Sequence, residues 1–250
     1  MIRIVIHGSS GRMGRELRAM VKDDPELEIV AGIDARPDEN ADFPQFSDIA
    51  ECNVPADAAI DVSTHAAVPG FVDWCRKNKV PAVICTTALT PDCLAKIEDA
   101  SKEIAIFRSA NMSLGINLLA KAIRAITPAL QEDFNVEIVE MHHNQKIDSP
   151  SGTAIMLADV VNESCQQKKD YLFGRHGKTD ECKITDLGIH AIRGGTTPGE
   201  HIVIYAGTDE IIELKHIALS RKILAGGTLK AVRFAVQQPP GQYSMDDMLK

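Results

Sequence analysis

Residues 2 to 7, I-R-I-V-I-H, form a short β-branched run that stops dead on glycine. Gly8-Ser9-Ser10-Gly11-Arg12-Met13-Gly14 follows and opens an amphipathic helix through about Val21. A strand that breaks on glycine and restarts as a helix leaves unbonded N–H groups at the helix start, a ready cradle for a pyrophosphate. Gly8 permits the tight turn. The glycines fall as G-x-x-G-x-x-G, with Ser10 where the second glycine of G-x-G-x-x-G belongs. The competing interpretation is a glycine-rich strand-to-helix turn that binds nothing.

The next segments repeat this grammar. Glu28 to Ile33 is a second apolar run, ending at Asp34. That acid stands 20 residues after Gly14, near the offset for a carboxylate that bonds an adenosine ribose 2′-OH. A carboxylate there repels a 2′-phosphate and favours NAD, while Arg36 could pair with the phosphate. Without the glycine turn, Asp34 would read as a solvated loop acid. Residues 35 to 56 are polar and read as loop with a short helical piece. Residues 58 to 63, Pro81 to Cys85 and Ile104 to Phe107 read as strands, separated by helical sequence through Lys77 and from Thr90-Pro91. Strands alternating with helices imply a parallel sheet covered on both faces, with ligands beyond the strand C-termini. Gly8, Asp34, Ser63, Thr86 and Asn111 all stand at such ends.

After an amphipathic helix from Leu114 to Leu130 the grammar changes. Asn135 to His143 reads as a strand and Thr153 to about Gln166 as a helix. Residues 168 to 183 read as loop. Then Ile184 to Ile192, Glu200 to Tyr205 and Ile211 to Ile217 follow without helices between them, the last two joined by a Gly207-Thr208-Asp209 turn. An antiparallel or mixed sheet in a second domain is expected. A helix from Arg221 to Gln237 and a Pro239-Pro240-Gly241 tail close the chain.

Charge and cysteine usage narrow the function classes. The net charge is -8 with no basic cluster, which argues against nucleic acid as the main partner. None of the six cysteines forms a C-x-x-C pair, so a structural zinc site or redox dithiol is not expected. No charged leader or bilayer-length apolar run is found, and reduced thiols in the cytoplasm are the default expectation.

Between the two sheets' worth of sequence lies E-M-H-H-N-Q-K-I-D-S-P-S-G-T, residues 140 to 153. It sets His142, His143, Lys146 and Asp148 ahead of Ser151-Gly152-Thr153 and a helix. Histidines and a lysine can donate protons, and a glycine-opened helix start can hold a carboxylate. Lysine beside histidine depresses the pKa of both. The alternative treats His142 and His143 as a surface pair and residues 148 to 151 as a capping turn. Adjacent histidines rarely bind one ion, so no metal is expected. Arg193-Gly194-Gly195-Thr196 could bind an anion or be a plain turn. His201, His216 and Arg221 read as structural residues or subunit contacts.

The run E-M-H-H-N-Q-K-I-D-S-P-S-G-T-A resembles the signature of the dihydrodipicolinate reductase family, the 4-hydroxy-tetrahydrodipicolinate reductases of lysine and diaminopimelate synthesis. The family pattern is E-x-H-H-x-x-K-x-D-A-P-S-G-T-A, with Ser149 the one departure. G-x-x-G-R-M-G at 8 to 14, Thr86-Thr87 and Ala110-Asn111 match as well. The resemblance implies His142 as proton donor and acceptor, Lys146 as second proton donor, His143 as a substrate contact, and Gly152 and Thr153 as the substrate carboxylate cradle. It implies that Gly8, Ser9, Ser10, Gly11, Arg12 and Met13 hold the cofactor pyrophosphate and Asp34 the ribose. Cys85, Thr86 and Thr87, with Ser109, Ala110, Asn111 and Met112, would line the nicotinamide side.

The fold implied is α/β: an N-terminal Rossmann domain with a parallel sheet, residues 1–111 and 222–250, plus a smaller α+β domain with a mixed sheet, residues 112–221, for substrate binding and oligomerisation. NADH and/or NADPH, no metal, a small dicarboxylate substrate and a homotetramer are the implied partners. Cys85 and Ala88 stand where members often carry the glycines of G-T-T-G, and Ala35 where some carry an arginine. The alternatives in other classes are another two-domain dehydrogenase, such as an aspartate dehydrogenase, and a non-catalytic nucleotide sensor.

Overall fold

The computed structural model describes residues 1–178 and 181–250. The chain divides into two compact units, Met1–Ser113 with Lys222–Lys250, and Leu114–Arg221.

The first unit is built on seven parallel strands in the order β12-β6-β5-β4-β1-β2-β3. These are β1 (Ile2–His7), β2 (Leu27–Ile33), β3 (Gln45–Phe46), β4 (Ala58–Asp61), β5 (Ala82–Ile84), β6 (Ala105–Arg108) and β12 (Gly241–Tyr243). The helices are α1 (Arg12–Lys22), α2 (Val68–Asn78), α3 (Pro91–Ser101), α6 (Lys222–Ala235) and α7 (Met245–Met248). The central strands are apolar on successive residues because both faces are covered. Val5 joins a core with Phe71, Val72 and Ile97, while Ile4 and Ile6 join one with Leu17, Leu229 and Val232. Each fully buried isoleucine here is worth about 1.5–3 kcal/mol. Thr90 caps α3 by accepting the Cys93 N–H, with Pro91 at its first position.

The second unit has a mixed five-stranded sheet, order β11-β10-β7-β9-β8. Its strands are β7 (Asn135–His142), β8 (Asp170–Phe173), β9 (Asp186–Arg193), β10 (Gly199–Ala206) and β11 (Ile211–Ala218). Pairs β7–β9 and β8–β9 are parallel, and β10 is antiparallel to both β7 and β11. Strand β7 alternates buried and half-buried residues along its length. Val136 and Ile138 meet Leu119, Ile123, Leu157 and Val161 of α4 (Leu114–Leu130) and α5 (Gly152–Ser164). This is the period-two pattern of a sheet with one packed face. Tyr205 is fully buried and its hydroxyl bonds Thr127 at 2.6 Å.

Three expectations are corrected. Residues 168 to 183, expected as loop, contain β8; Thr179 and Asp180 lie outside the described residues. The expected tail contains β12 and α7. Both strands sit at sheet edges and pair on one side only. Four or three residues beside Asp, Pro and Gly carry too little pattern to signal a strand. Likewise β7 ends at His142, so His143 stands past the strand instead of at its tip.

Candidate active site

In the first unit, the residues expected at a cofactor gather at strand ends. Gly8 turns with φ +90, and a Cβ there would stand 2.7 Å from the Val62 carbonyl oxygen, so no other residue fits without displacing backbone. The Gly8 and Ser9 N–H groups donate to the Ile33 carbonyl. Ser9 is buried, Ser10, Gly11 and Met13 are half-buried, and Arg12 is exposed. Helix α1 follows Gly11, which offers no side-chain cap, and has no acid in its first turn. The Ser10 hydroxyl is buried without a partner among the described residues. An uncapped helix start beside an orphaned hydroxyl fits a bound pyrophosphate. Asp34 accepts the Ser10 N–H and the Arg36 N–H, each at 3.0 Å, and stands half-exposed at the end of β2.

Asp61, at the end of β4, is a functional candidate that the sequence pattern did not single out. It is fully buried and accepts from His7 Nδ1 at 2.8 Å, from the Ser63 hydroxyl at 2.5 Å and from the Thr86 hydroxyl. His7 in turn lies flat on Phe71, 5.6 Å between ring centroids. A hydroxyl that spends its proton on Asp61 can only accept from a ligand. Thr87 is exposed, while burial pushes the Cys85 thiol up to about 12, where it is not a nucleophile. Ala88 holds a left-handed backbone, φ 55, at a position where glycine is the easier residue. The Ser109 hydroxyl bonds the Asn111 carbonyl at 3.0 Å; Ala110 is exposed and Met112 buried.

In the second unit one carboxylate, Glu140, bonds His142 and the Ser151 N–H just ahead of Gly152 and Thr153, and through Arg193 it is tied to the loop that carries Lys146. Glu140 is 0% exposed and takes four bonds. Arg193 grips both oxygens with Nη1 and Nη2, at 2.9 and 2.8 Å. The Ser151 N–H donates to one at 2.9 Å and His142 Nδ1 approaches the other at 2.5 Å. Burial alone would raise the Glu140 pKa, but Arg193, His142 and the Ser151 N–H together hold it below its ordinary value. Arg193 Nη2 also bonds the Asp148 carbonyl at 2.6 Å, pinning the loop that carries Lys146. In the sequence Arg193 read equally as part of an anion-binding turn or of a plain one; its anion is the protein's own Glu140.

Lys146 bonds both oxygens of Asp148 at 2.7 Å. Its charge nonetheless reaches His142, whose pKa is lowered first by burial and further by Lys146 and Arg193, against the opposing pull of Glu140. His201 lies edge-on to His142, 5.2 Å between centroids, and bonds the Ser151 hydroxyl at 3.1 Å. Burial first, then His142, brings the His201 pKa down to about 4. His143 Nε2 stands 3.4 Å from Arg221 Nη2. Arginine only donates, so Nε2 accepts and the neutral ring keeps its proton on Nδ1, which is buried without a partner among the described residues. Arg221 is a second residue that the sequence left among structural contacts.

Ser151 caps α5 through the Ala154 N–H. Gly152, next to it, is exposed with open space where a Cβ would stand, so a ligand can approach its backbone closely. Thr153 is half-buried on the same turn. Among the described residues no group of acids, histidines or cysteines forms a metal site, and no helix is long and apolar enough to cross a membrane. Two proton-bearing side chains beside a helix start can hold an anionic ring and move protons to it.

Two family models match the chain, Dihydrodipicolinate reductase, N-terminus, over residues 2–112 and Dihydrodipicolinate reductase, C-terminus, over residues 115–249. Among curated relatives, a 4-hydroxy-tetrahydrodipicolinate reductase of Caldanaerobacter subterraneus subsp. tengcongensis is 48% identical over 250 residues, covering 100% of this chain and 99% of the relative. One from Clostridium tetani is 45% identical, covering 100% of this chain and 97% of the relative. Among solved structures, a dipicolinate-bound dihydrodipicolinate reductase from Paenisporosarcina sp. TG-14 superposes with a TM-score of 0.83 at 23% identity, over 98% of this chain and 97% of that one. An aspartate dehydrogenase from Thermotoga maritima reaches 0.53 at 13% identity, over 94% and 96%. At those identities the structures speak for the fold alone.

Proposed function

The chain belongs to the dihydrodipicolinate reductase family through both its halves, and from that premise we propose that it is a nicotinamide-dependent 4-hydroxy-tetrahydrodipicolinate reductase. The observation that carries this is one buried anchor in the second unit, Glu140, which holds His142 and the start of α5 directly and the Lys146 loop through Arg193.

The substrate is a cyclic dicarboxylate. One carboxylate is assigned to the backbone of Gly152 and Thr153 at the start of α5, where the helix dipole favours negative charge. His143 Nδ1–H, otherwise unspent, is a donor for the second. Loss of the 4-hydroxyl as water leaves an unsaturated ring that needs one hydride and one proton to become tetrahydrodipicolinate. When bound, the reduced nicotinamide supplies the hydride. His142 and Lys146 supply and relay the proton, Lys146 as a cation released from Asp148 and His142 as an exchanger poised below its ordinary pKa. Gly8, Ser9, Ser10, Gly11, Arg12 and Met13 are assigned to the pyrophosphate and Asp34 to the adenosine ribose. Thr86, acceptor-only because of Asp61, Cys85 and Thr87 are assigned to the nicotinamide side with Ser109, Ala110, Asn111 and Met112. Asp34 favours NADH over NADPH, since its charge opposes a 2′-phosphate.

The second sheet carries α4 and α5 on one face, and on the other β11 presents exposed Ile211 and Ile217. That face is assigned to self-assembly into a tetramer, which light scattering tests. The six free cysteines suit a reducing cytoplasm. The activity is tested by following NADH absorbance with freshly prepared substrate, with dipicolinate as competitor. Competitive inhibition by dipicolinate is expected. Turnover of an open-chain amino acid with no response to dipicolinate would instead place the chain among other dehydrogenases.

A further inference from the structure

His142 has two ring nitrogens, and only one can serve as the working atom. Nδ1 is taken by Glu140 at 2.5 Å. Nε2 bonds no other described residue and lies against Gly199, where even a Cβ would stand only 2.9 Å away. A carboxylate clamped by Arg193 is a pure acceptor, so the proton of the neutral imidazole must sit on Nδ1 and the lone pair on Nε2. We propose that Glu140, clamped by Arg193, is a positioning residue that sets the tautomer and aim of His142, making Nε2 the atom that exchanges a proton with the substrate.

The rest of the network follows from the same carboxylate. Its other oxygen holds the Ser151 N–H at the start of α5, and its partner Arg193 holds the Asp148 carbonyl on the Lys146 loop. One buried charge thereby fixes the proton exchanger, the carboxylate cradle and the lysine loop relative to one another. The charged and titratable groups that face His142 are Glu140 on its own strand, Lys146 on the following loop, Arg193 on β9 and His201 on β10. Of these, Glu140 alone favours the imidazolium.

The test is Glu140→Gln. Arg193 and the Ser151 N–H can only donate, whereas the imidazole can switch from donor to acceptor. The amide oxygen therefore goes to Ser151 and Arg193, and the NH2 turns to His142. His142 must then accept at Nδ1 and carry its proton on Nε2. Nitrogen-15 NMR of the free protein reads this directly: Nδ1–H in the wild type, Nε2–H in the variant. kcat falls by about 10²-fold or more, while KM and dipicolinate affinity stay within a few-fold because the Ser151 bond is kept. The pH limb belonging to His142 moves to lower pH, since a partner that favoured the imidazolium is gone. Glu140→Gln combined with Arg193→Met removes the unpaired guanidinium, so that the same tautomer inversion is readable if the single variant folds poorly. Gly199→Ala crowds Nε2 without touching Glu140 and lowers kcat with the tautomer unchanged. The proposal rests on the reductase function above, and the two fail separately. Wild type without turnover sinks the function while leaving the NMR result standing. Retention of Nδ1–H in the Gln variants, or turnover within three-fold of wild type despite inversion, overturns the proposal.

Discussion

Replacing Asp34 by Asn changes one charge and almost no volume, and it addresses the choice between NADH and NADPH. The carboxylate is half-exposed at the end of β2, held by the Ser10 and Arg36 N–H groups at 3.0 Å each. A phosphate monoester carries about −1.5 to −2 charges at neutral pH. At contact distance, unit charges repel by about 1 kcal/mol in water and more in a half-buried site. Asp34 therefore opposes the 2′-phosphate by about 2 kcal/mol or more, roughly thirty-fold in affinity. Arg36 is exposed and offsets part of this, so a preference of about ten-fold for NADH is the expected wild-type result. In Asp34→Asn the repulsion goes, and NADH loses part of a charge-assisted hydrogen bond worth about 1.5–3 kcal/mol. The two affinities converge to within a few-fold. Calorimetric Kd values for both cofactors at 0.05 and 0.5 M salt provide the assay, and the wild-type gap shrinks at high salt as the charges are screened. Equal affinities in wild type, or a ratio untouched by both the substitution and the salt, would refute the assignment of Asp34.

Other expectations concern protons and backbone. Lys146→Ala lowers kcat by about 10²–10⁴-fold in the NADH assay; near-equal rates remove Lys146 from the proton path. His201 is neutral when folded, with its pKa down to about 4, against about 6.5 when unfolded. Above pH 6.5 both states are neutral and nothing changes. As pH falls from about 6.5 to about 4 the unfolded chain takes up the proton first, so about 3 kcal/mol of stability is lost across that window. Urea unfolding at pH 7 and 4.5 should show a smaller acid loss for His201→Gln than for wild type; equal losses contradict the assignment. Ala88→Gly relieves a left-handed alanine at φ 55, which costs about 1–2 kcal/mol. Part of that is returned by the freer unfolded chain, about 0.5–1 kcal/mol. The midpoint of thermal unfolding rises by about 2–4 °C or less, and a fall would show that the loop needs the methyl group.

What the sequence determined alone was whatever is written locally. Ile2 to His7 followed by Gly8 dictates a buried strand and a tight turn within a dozen residues, because side-chain pattern and glycine's backbone freedom act at short range. The run from Glu140 to Thr153 likewise carries His142, Lys146 and the start of α5 within one short stretch of chain. Tertiary structure alone decided which charges meet. Glu140 and Arg193 are 53 residues apart, as are His190 and Glu137, and His7 and Asp61 are separated by 54. The parallel register of β7 on β9, with His142 opposite Arg193, brings the first pair within reach. The edge strands β8 and β12 were invisible for a local reason. With four and three residues they are too short to show the two-residue alternation that made β11, equally an edge strand, legible over its eight.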